Sequence, residues 1–170
     1  MIKSGKKVND LVLLLSKDNP LLISEAIGIL RDEEPFEGAI PILSSFYDKT
    51  ENLIIRKTIE AFMNDLKDQS VTKEVITEIR KPYKQSTIAM LVSSCWQSGL
   101  NYSEYLKDLA EIFLSADYLT ALECFTVIEE SAHVLTRKKK EEIISLIDDY
   151  PHSQSNEKEK LANELIGILR

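Results

Sequence analysis

Side chains that could carry out chemistry are few and scattered in this sequence. The two cysteines, Cys95 and Cys124, lie in apolar segments, and the two histidines, His133 and His152, lie in different segments. A structural zinc site needs four such ligands at short spacings, and the sequence contains no CxxC pair. The sequence therefore predicts no metal site, no cofactor and two buried, reduced thiols.

The charged pairs and runs offer no catalytic arrangement either. Asp148 and Asp149 are adjacent, so on a helix they point in different directions and cannot form a facing acid–base pair. The sequence has no phosphate-binding glycine loop, no GxSxG and no HExxH. We therefore expect a protein that is not an enzyme. In the basic run 137–140, pairing of Arg137 with Glu141 is one explanation, and a functional basic patch is the other.

Composition limits the class of partner. The 170 residues are 44% hydrophobic and 29% charged, which is typical of one globular domain. The 28 acidic residues outnumber the 21 basic ones, and a net charge of −7 argues against a nucleic-acid partner. The apolar run 11–15 is too short to cross a bilayer, and the N-terminus lacks a signal-peptide cleavage pattern. We expect a cytoplasmic protein with no membrane contact.

An internal repeat covers nearly the whole chain. The apolar positions of 21–30 coincide with those of 53–62 at a shift of 32 residues. Further shifts of 33, 33 and 41 residues lead to 86–95, 119–128 and 161–169. Spacings of three and four residues between the apolar positions indicate helices. The segment before each copy repeats in the same way, so the sequence predicts ten helices in five pairs.

The five pairs, each an A helix followed by a B helix, have approximate bounds of 6–32, 36–67, 70–98, 103–133 and 136–170. Prolines and short polar residues at the expected helix starts agree with this division, because these residues favour the first turn or the N-cap. The predicted first-turn or cap residues are Asn19, Pro20, Pro35, Thr50, Ser70, Ser103, Asp117 and Thr136. The polar segment 150–157 is predicted to be a surface loop.

The second repeat resembles the HEAT family. Its pattern contains a proline, an aspartate and an arginine, and Pro41, Asp48 and Arg56 match those three positions. The resemblance implies an all-α fold, a right-handed α-α superhelix (solenoid) of about five HEAT-like helix pairs forming one domain over 1–170. It further implies that the aspartate and the arginine form hydrogen bonds between repeats, and that the B helices line a concave partner-binding surface. The other repeats carry neither residue, so the hydrogen-bond ladder cannot run the length of the chain.

The third B helix differs from the others on the face that is expected to bind a partner. Where the second repeat has charged residues, the third has uncharged ones, including Met90, and the only tryptophan, Trp96, lies at the edge. Methionine and tryptophan are enriched at binding interfaces. Trp96 could equally fill the core. The residues predicted to bind a protein or peptide partner are Arg56, Lys57, Glu60, Met90, Ser93, Trp96, Gln97 and Glu123.

Two other functions stay open beside a protein-binding scaffold. The last helix ends at Leu169-Arg170 without a glycine cap, which fits a structural segment of a larger assembly. An enzyme on a HEAT-like frame, such as a relative of the alkylpurine DNA glycosylases, would need a basic groove. The acidic residues predicted along the B helices do not favour that function.

Overall fold

Helices account for all the regular secondary structure in the described residues. A computed structural model describes residues 2–17, 19–33, 36–150 and 155–170, with side chains from residue 5 onward. The ten α-helices in this part of the chain are α1 Ile2–Leu15, α2 Pro20–Asp32, α3 Ala39–Lys49, α4 Leu53–Asn64, α5 Thr72–Ile79, α6 Gln85–Gln97, α7 Leu106–Ser115, α8 Tyr118–Ser131, α9 Arg137–Asp148 and α10 Asn156–Leu169. Two short 3₁₀ turns, Gln69–Val71 and Ala132–Val134, complete the list.

The apolar spacing that predicted the helices also forms their buried faces. In α4 the buried residues are Ile55, Ile59, Phe62 and Met63, which repeat at intervals of four, three and one. Since residues three and four apart share one face of a helix, each such stripe packs against neighbouring helices. The all-α prediction and the pairing of helices along the sequence are confirmed.

The predicted caps are partly right. Asn19, Asp117 and Thr136 are N-caps whose side chains accept hydrogen bonds from backbone N–H groups of α2, α8 and α9. The prediction that Thr50 caps α4 is wrong. Its N–H donates to the Phe46 carbonyl at the end of α3, and Asn52 caps α4.

Ser70 and Ser103 are wrong as caps for a related reason. The backbone N–H of each donates to an Asp or Asn side chain two residues earlier, Asp68 and Asn101. Short Asp and Asn side chains bond readily to nearby backbone N–H groups. Asp68 caps the 3₁₀ turn Gln69–Val71, and the N-caps of α5 and α7, Val71 and Tyr105, make no side-chain cap hydrogen bond. Pro35 lies outside the described residues, and α3 begins at Ala39.

Helices α1 to α6 belong to the first of two compact units, 1–100 and 101–170. In this unit each B helix packs against the next B helix, α2 on α4 and α4 on α6, and the A helices α1, α3 and α5 do the same. Two side-chain contacts fix α2 on α4: Ser24 and Thr58 share a hydrogen bond of 2.5 Å, and Arg31 binds Asp65 at 2.7 Å. Both pairs are 34 residues apart, so the two helices run parallel.

The second unit holds α7 to α10. Here α7 packs on α8 and α9, and α10 packs on α8 and α9. Lys158 of α10 is buried, and its Nζ donates to the carbonyl oxygens of Leu114 and Ala116 at 2.7 Å and 2.6 Å. Burial lowers the pKa of this ammonium group below its usual value. The prediction of one domain over 1–170 stays a prediction.

The remaining sequence predictions concern single residues. Cys95 and Cys124 are both buried as reduced thiols, as predicted, and burial raises the pKa of Cys124 to about 12. Arg137 pairs with Glu141 at 2.7 Å, which confirms that pairing. His152 and half of the predicted loop, residues 151–154, lie outside the described residues. The predicted loop end is wrong, since Asn156 and Glu157 already belong to α10.

Candidate functional site

Arg56 and Glu60, predicted to bind a partner, are held by a neighbouring helix. The Arg56 guanidinium lies 4.4 Å from the centre of the Tyr47 ring, and the Tyr47 hydroxyl donates to Glu60 Oε1 at 2.6 Å. Arg56 Nη2 also donates to Ser86 Oγ at 3.2 Å, at the start of α6. These contacts tie α4 to α3 and α6, whereas Lys57, on the same helix, is exposed.

On the predicted binding face of α6, the polar side chains form hydrogen bonds within the first unit. The Gln97 amide accepts from Asn64 at 2.8 Å and donates to the half-buried Ser93 hydroxyl at 2.8 Å. Met90 is only 7% exposed, so the expectation that its side chain is exposed on this face is wrong, and its contact with a partner stays a prediction. Trp96 is half-buried, which lies between the two environments predicted for it, an exposed binding face and the core.

The reason for the error at Met90 is the number of helices that surround α6. Helix α6 packs against α3, α4 and α5. A helix that is uncharged on all sides is typically one that is buried on several sides. The missing charges on α6 therefore reflect packing inside unit 1. Glu123, the last predicted residue, is half-buried on α8 in the second unit.

Four exposed apolar side chains lie in the first turns of α2 and α4. Leu21 and Leu22 of α2 are 71% and 47% exposed, and Leu53 and Ile54 of α4 are 71% and 51% exposed. Single exposed apolar residues are ordinary on protein surfaces. Here four of them occupy equivalent repeat positions on two helices that are parallel and in contact. They therefore lie together at one end of unit 1, where the A helices lead into the B helices.

Basic side chains surround these four residues. Lys17 follows α1, Lys49 ends α3, and Lys84 precedes α6; all three are exposed. Of the described acids in this region, Glu51 pairs with Lys84 at 3.0 Å and Asp48 binds the start of α6, whereas Glu25, one turn after Leu21, is exposed.

We call Leu21, Leu22, Leu53, Ile54, Lys17 and Lys49 the basic apolar surface.

Asp48 shows how α6 is fixed next to this surface. Its Oδ1 accepts hydrogen bonds of 2.8 Å from the backbone N–H of Lys84 and from the Thr87 hydroxyl. Although partial burial acts to raise it, these hydrogen bonds bring the pKa of Asp48 below its usual value. Asp48 of the second repeat thus caps the B helix of the third repeat.

The sequence did contain a signal for the basic apolar surface. The triplets Leu21-Leu22-Ile23 and Leu53-Ile54-Ile55 each place three large apolar residues in a row. Successive helical residues are about 100° apart, so one narrow core stripe cannot hold all three. In both triplets only the third residue, Ile23 or Ile55, is buried.

A cavity of about 450 Å³ near the start of α3 is the strongest candidate for acid–base chemistry; its lining includes Phe36, Glu37, Glu74 and Glu78. Burial raises the pKa of Glu74, a hydrogen bond from the Gly38 N–H opposes this, and the carboxylates of Glu37 and Glu78 add to the rise. Glu78 itself is buried and bound to Lys81 at 2.6 Å. Because Glu74 accepts from Gly38, the N-cap of α3, it holds that helix start.

Metal and membrane sites gain no support from the described residues. Within the part of the chain that the structure describes, no three or more His, Cys, Asp or Glu side chains form a group that could hold a metal ion. Of the helices in that same part, none combines the length and the apolar character needed to cross a membrane.

Comparison with known proteins gives no relative from which a function could be proposed. No family model, curated protein or solved structure matches this chain.

Proposed function

We propose that this protein is a non-catalytic scaffold that binds another protein through the basic apolar surface. The observation that carries the proposal is the exposure of Leu21, Leu22, Leu53 and Ile54 on two adjacent helices. Covering apolar surface gains about 25 cal/mol for each Å² removed from water. A patch of exposed apolar residues with polar residues at its rim is typical of a surface that a partner covers.

The HEAT-like solenoid and the cytoplasmic location are part of the same proposal. Within each unit, a helix packs against the second helix after it along the chain, as in stacked helix pairs. The contacts of Asp48 and Arg56 with the next repeat agree with the hydrogen bonds that the HEAT resemblance implies. The partner-binding position differs from the one predicted: it moves from the middle of α6 to the first turns of α2 and α4.

A capture experiment tests this proposal. Wild-type protein and the double variant Leu21→Gln/Leu53→Gln are compared as baits in an extract of the native host. Both leucines are 71% exposed, so the variant should keep its unfolding free energy within about 0.5 kcal/mol. We expect at least a tenfold loss of the captured partner.

The matched control is Val134→Gln, which alters another exposed apolar residue, 55% exposed, in the second unit. It should capture the partner as the wild type does. Equal capture by the wild type and the leucine variant would show that the basic apolar surface does not bind the partner.

A further inference from the structure

The second unit carries an exposed apolar cluster at the matching repeat position. In the first turns of α8, Tyr118, Leu119 and Leu122 are 38%, 69% and 39% exposed. Leu119 falls on the same repeat position as Leu53, 66 residues later, and as Leu21 before it. The start of a B helix thus exposes leucine in both units.

Acidic side chains lie around this second cluster, whereas the exposed Lys17 and Lys49 lie near the first one. Asp117 caps α8, Asp148 ends α9, Asp149 follows it, and Glu157 lies in the first turn of α10; all four are exposed. Lys158 contacts the end of α7, which brings the start of α10 to the same end of the unit as Asp117. Lys158 itself is buried, so its charge points inward.

We call Tyr118, Leu119, Leu122, Asp117, Asp148, Asp149 and Glu157 the acidic apolar surface.

The two units also differ in overall charge. Residues 1–100 contain 13 basic and 14 acidic residues, whereas 101–170 contain 8 and 14. Nearly all of the net charge of −7 therefore belongs to the second unit.

We infer that the partner of the basic apolar surface is a second copy of this chain, which docks through its acidic apolar surface. This inference rests on the proposed function and names its partner. Each surface offers exposed leucine, and the lysines of one complement the carboxylates of the other. Two different surfaces meet, so the contact is heterologous and can extend from copy to copy.

An anionic membrane is the competing occupant, since lysines beside leucines also suit a lipid headgroup layer. The remaining acidic surface disfavours it, because a chain of net charge −7 is repelled as it approaches an anionic bilayer. The acidic apolar surface has the opposite property, since its carboxylates attract the lysines of another copy.

Sedimentation of the full chain tests the inference. Across about 10–300 µM protein at low salt, we expect the mean mass to rise above the 19.4 kDa of one chain. Added salt should weaken the association, because ion pairs between exposed groups are screened over about 10 Å at 0.1 M salt.

Charge reversal makes the test specific. Lys17→Glu/Lys49→Glu and Asp148→Lys/Asp149→Lys should each weaken self-association at least tenfold, because like charges then meet. Mixing the two variants restores opposite charges at every contact, and the association should recover to within about threefold of the wild type. Lys6→Glu/Lys73→Glu, which reverses two exposed lysines elsewhere in the first unit, is the matched control and should associate normally.

Three results would overturn the inference. The first is a chain that stays monomeric throughout, and the second is self-association that neither reversal weakens. The third is a monomeric chain that binds phosphatidylserine vesicles, with a Lys17→Glu/Lys49→Glu variant that no longer binds them. A monomeric chain that still captures a different protein through Leu21 and Leu53 would leave the proposed function standing, whereas a monomer without such capture would end both.

Discussion

Asp48 illustrates how one carboxylate links two repeats. It ends an A helix, yet its hydrogen bonds go to the N-terminus of the next repeat's B helix, where backbone N–H groups lack partners within the helix. A negative charge at this position also interacts favourably with the helix dipole. In the sequence, Asp48 stood out as a candidate for hydrogen bonds between repeats because it matches the aspartate of the HEAT pattern. Its particular partners, Lys84 and Thr87, depended on the packing of α3 against α6.

Asp48→Ala should lower the free energy of unfolding by about 1–2 kcal/mol, the usual loss on removing a capping side chain. Asp48→Asn keeps an acceptor oxygen and should lose less. The folded-state pKa of Asp48 lies below its unfolded value, about 3.9. Its charge therefore stabilises the protein above that pH, and the contribution disappears as pH falls through the folded pKa.

Urea unfolding at pH 7 and at steps from pH 5 to 2.5 measures both effects. Asp48→Asn should lose less stability than the wild type over the acidic steps. An Asp48→Ala variant as stable as the wild type at pH 7 would contradict the capping role.

At the scale of helices, spacing predicted the elements well and their surroundings poorly. The intervals of three and four residues depend on the local chain alone, and they located the ten helices that the described residues form. Exposure depends on which helices pack around a given one. Met90 of α6 is buried because three helices surround α6, and no local pattern encodes that number. The exposed first turns of α2 and α4 were also missed, although the apolar triplets 21–23 and 53–55 carried a local signal for them.

Lys158 gives a prediction at this scale, because a side chain of α10 completes the end of α7. Lys158→Met keeps the length of the side chain but leaves the carbonyls of Leu114 and Ala116 without its two hydrogen bonds. Hydrogen bonds to charged groups contribute about 1.5–3 kcal/mol, so the unfolding free energy should fall by about 2 kcal/mol. Lys160→Met, at an exposed position of the same helix, should change it by less than about 0.5 kcal/mol.

Thermal or urea unfolding measures the free energy of unfolding of the two variants. Equal losses in Lys158→Met and Lys160→Met would mean that Lys158 does not support α7.

At the scale of the whole molecule, the proposed function depends on surfaces that each belong to one unit. The basic apolar surface lies within 1–100 and the acidic apolar surface within 101–170. The composition of the full chain, with its net charge of −7, hides this difference between the units. The sequence analysis used the total charge to argue against a nucleic-acid partner, and it did not consider the lysines beside Leu21 and Leu53.

Site-specific photo-crosslinking in the native host tests the central claim, partner binding at the basic apolar surface, most directly. A photoreactive phenylalanine analogue replaces Leu21 or Leu53 in turn, and Val134 as the control, since all three side chains are more than half exposed. The account predicts the same discrete protein adduct from positions 21 and 53, and none from position 134. No adduct from positions 21 and 53, or an equal adduct from all three positions, would contradict it.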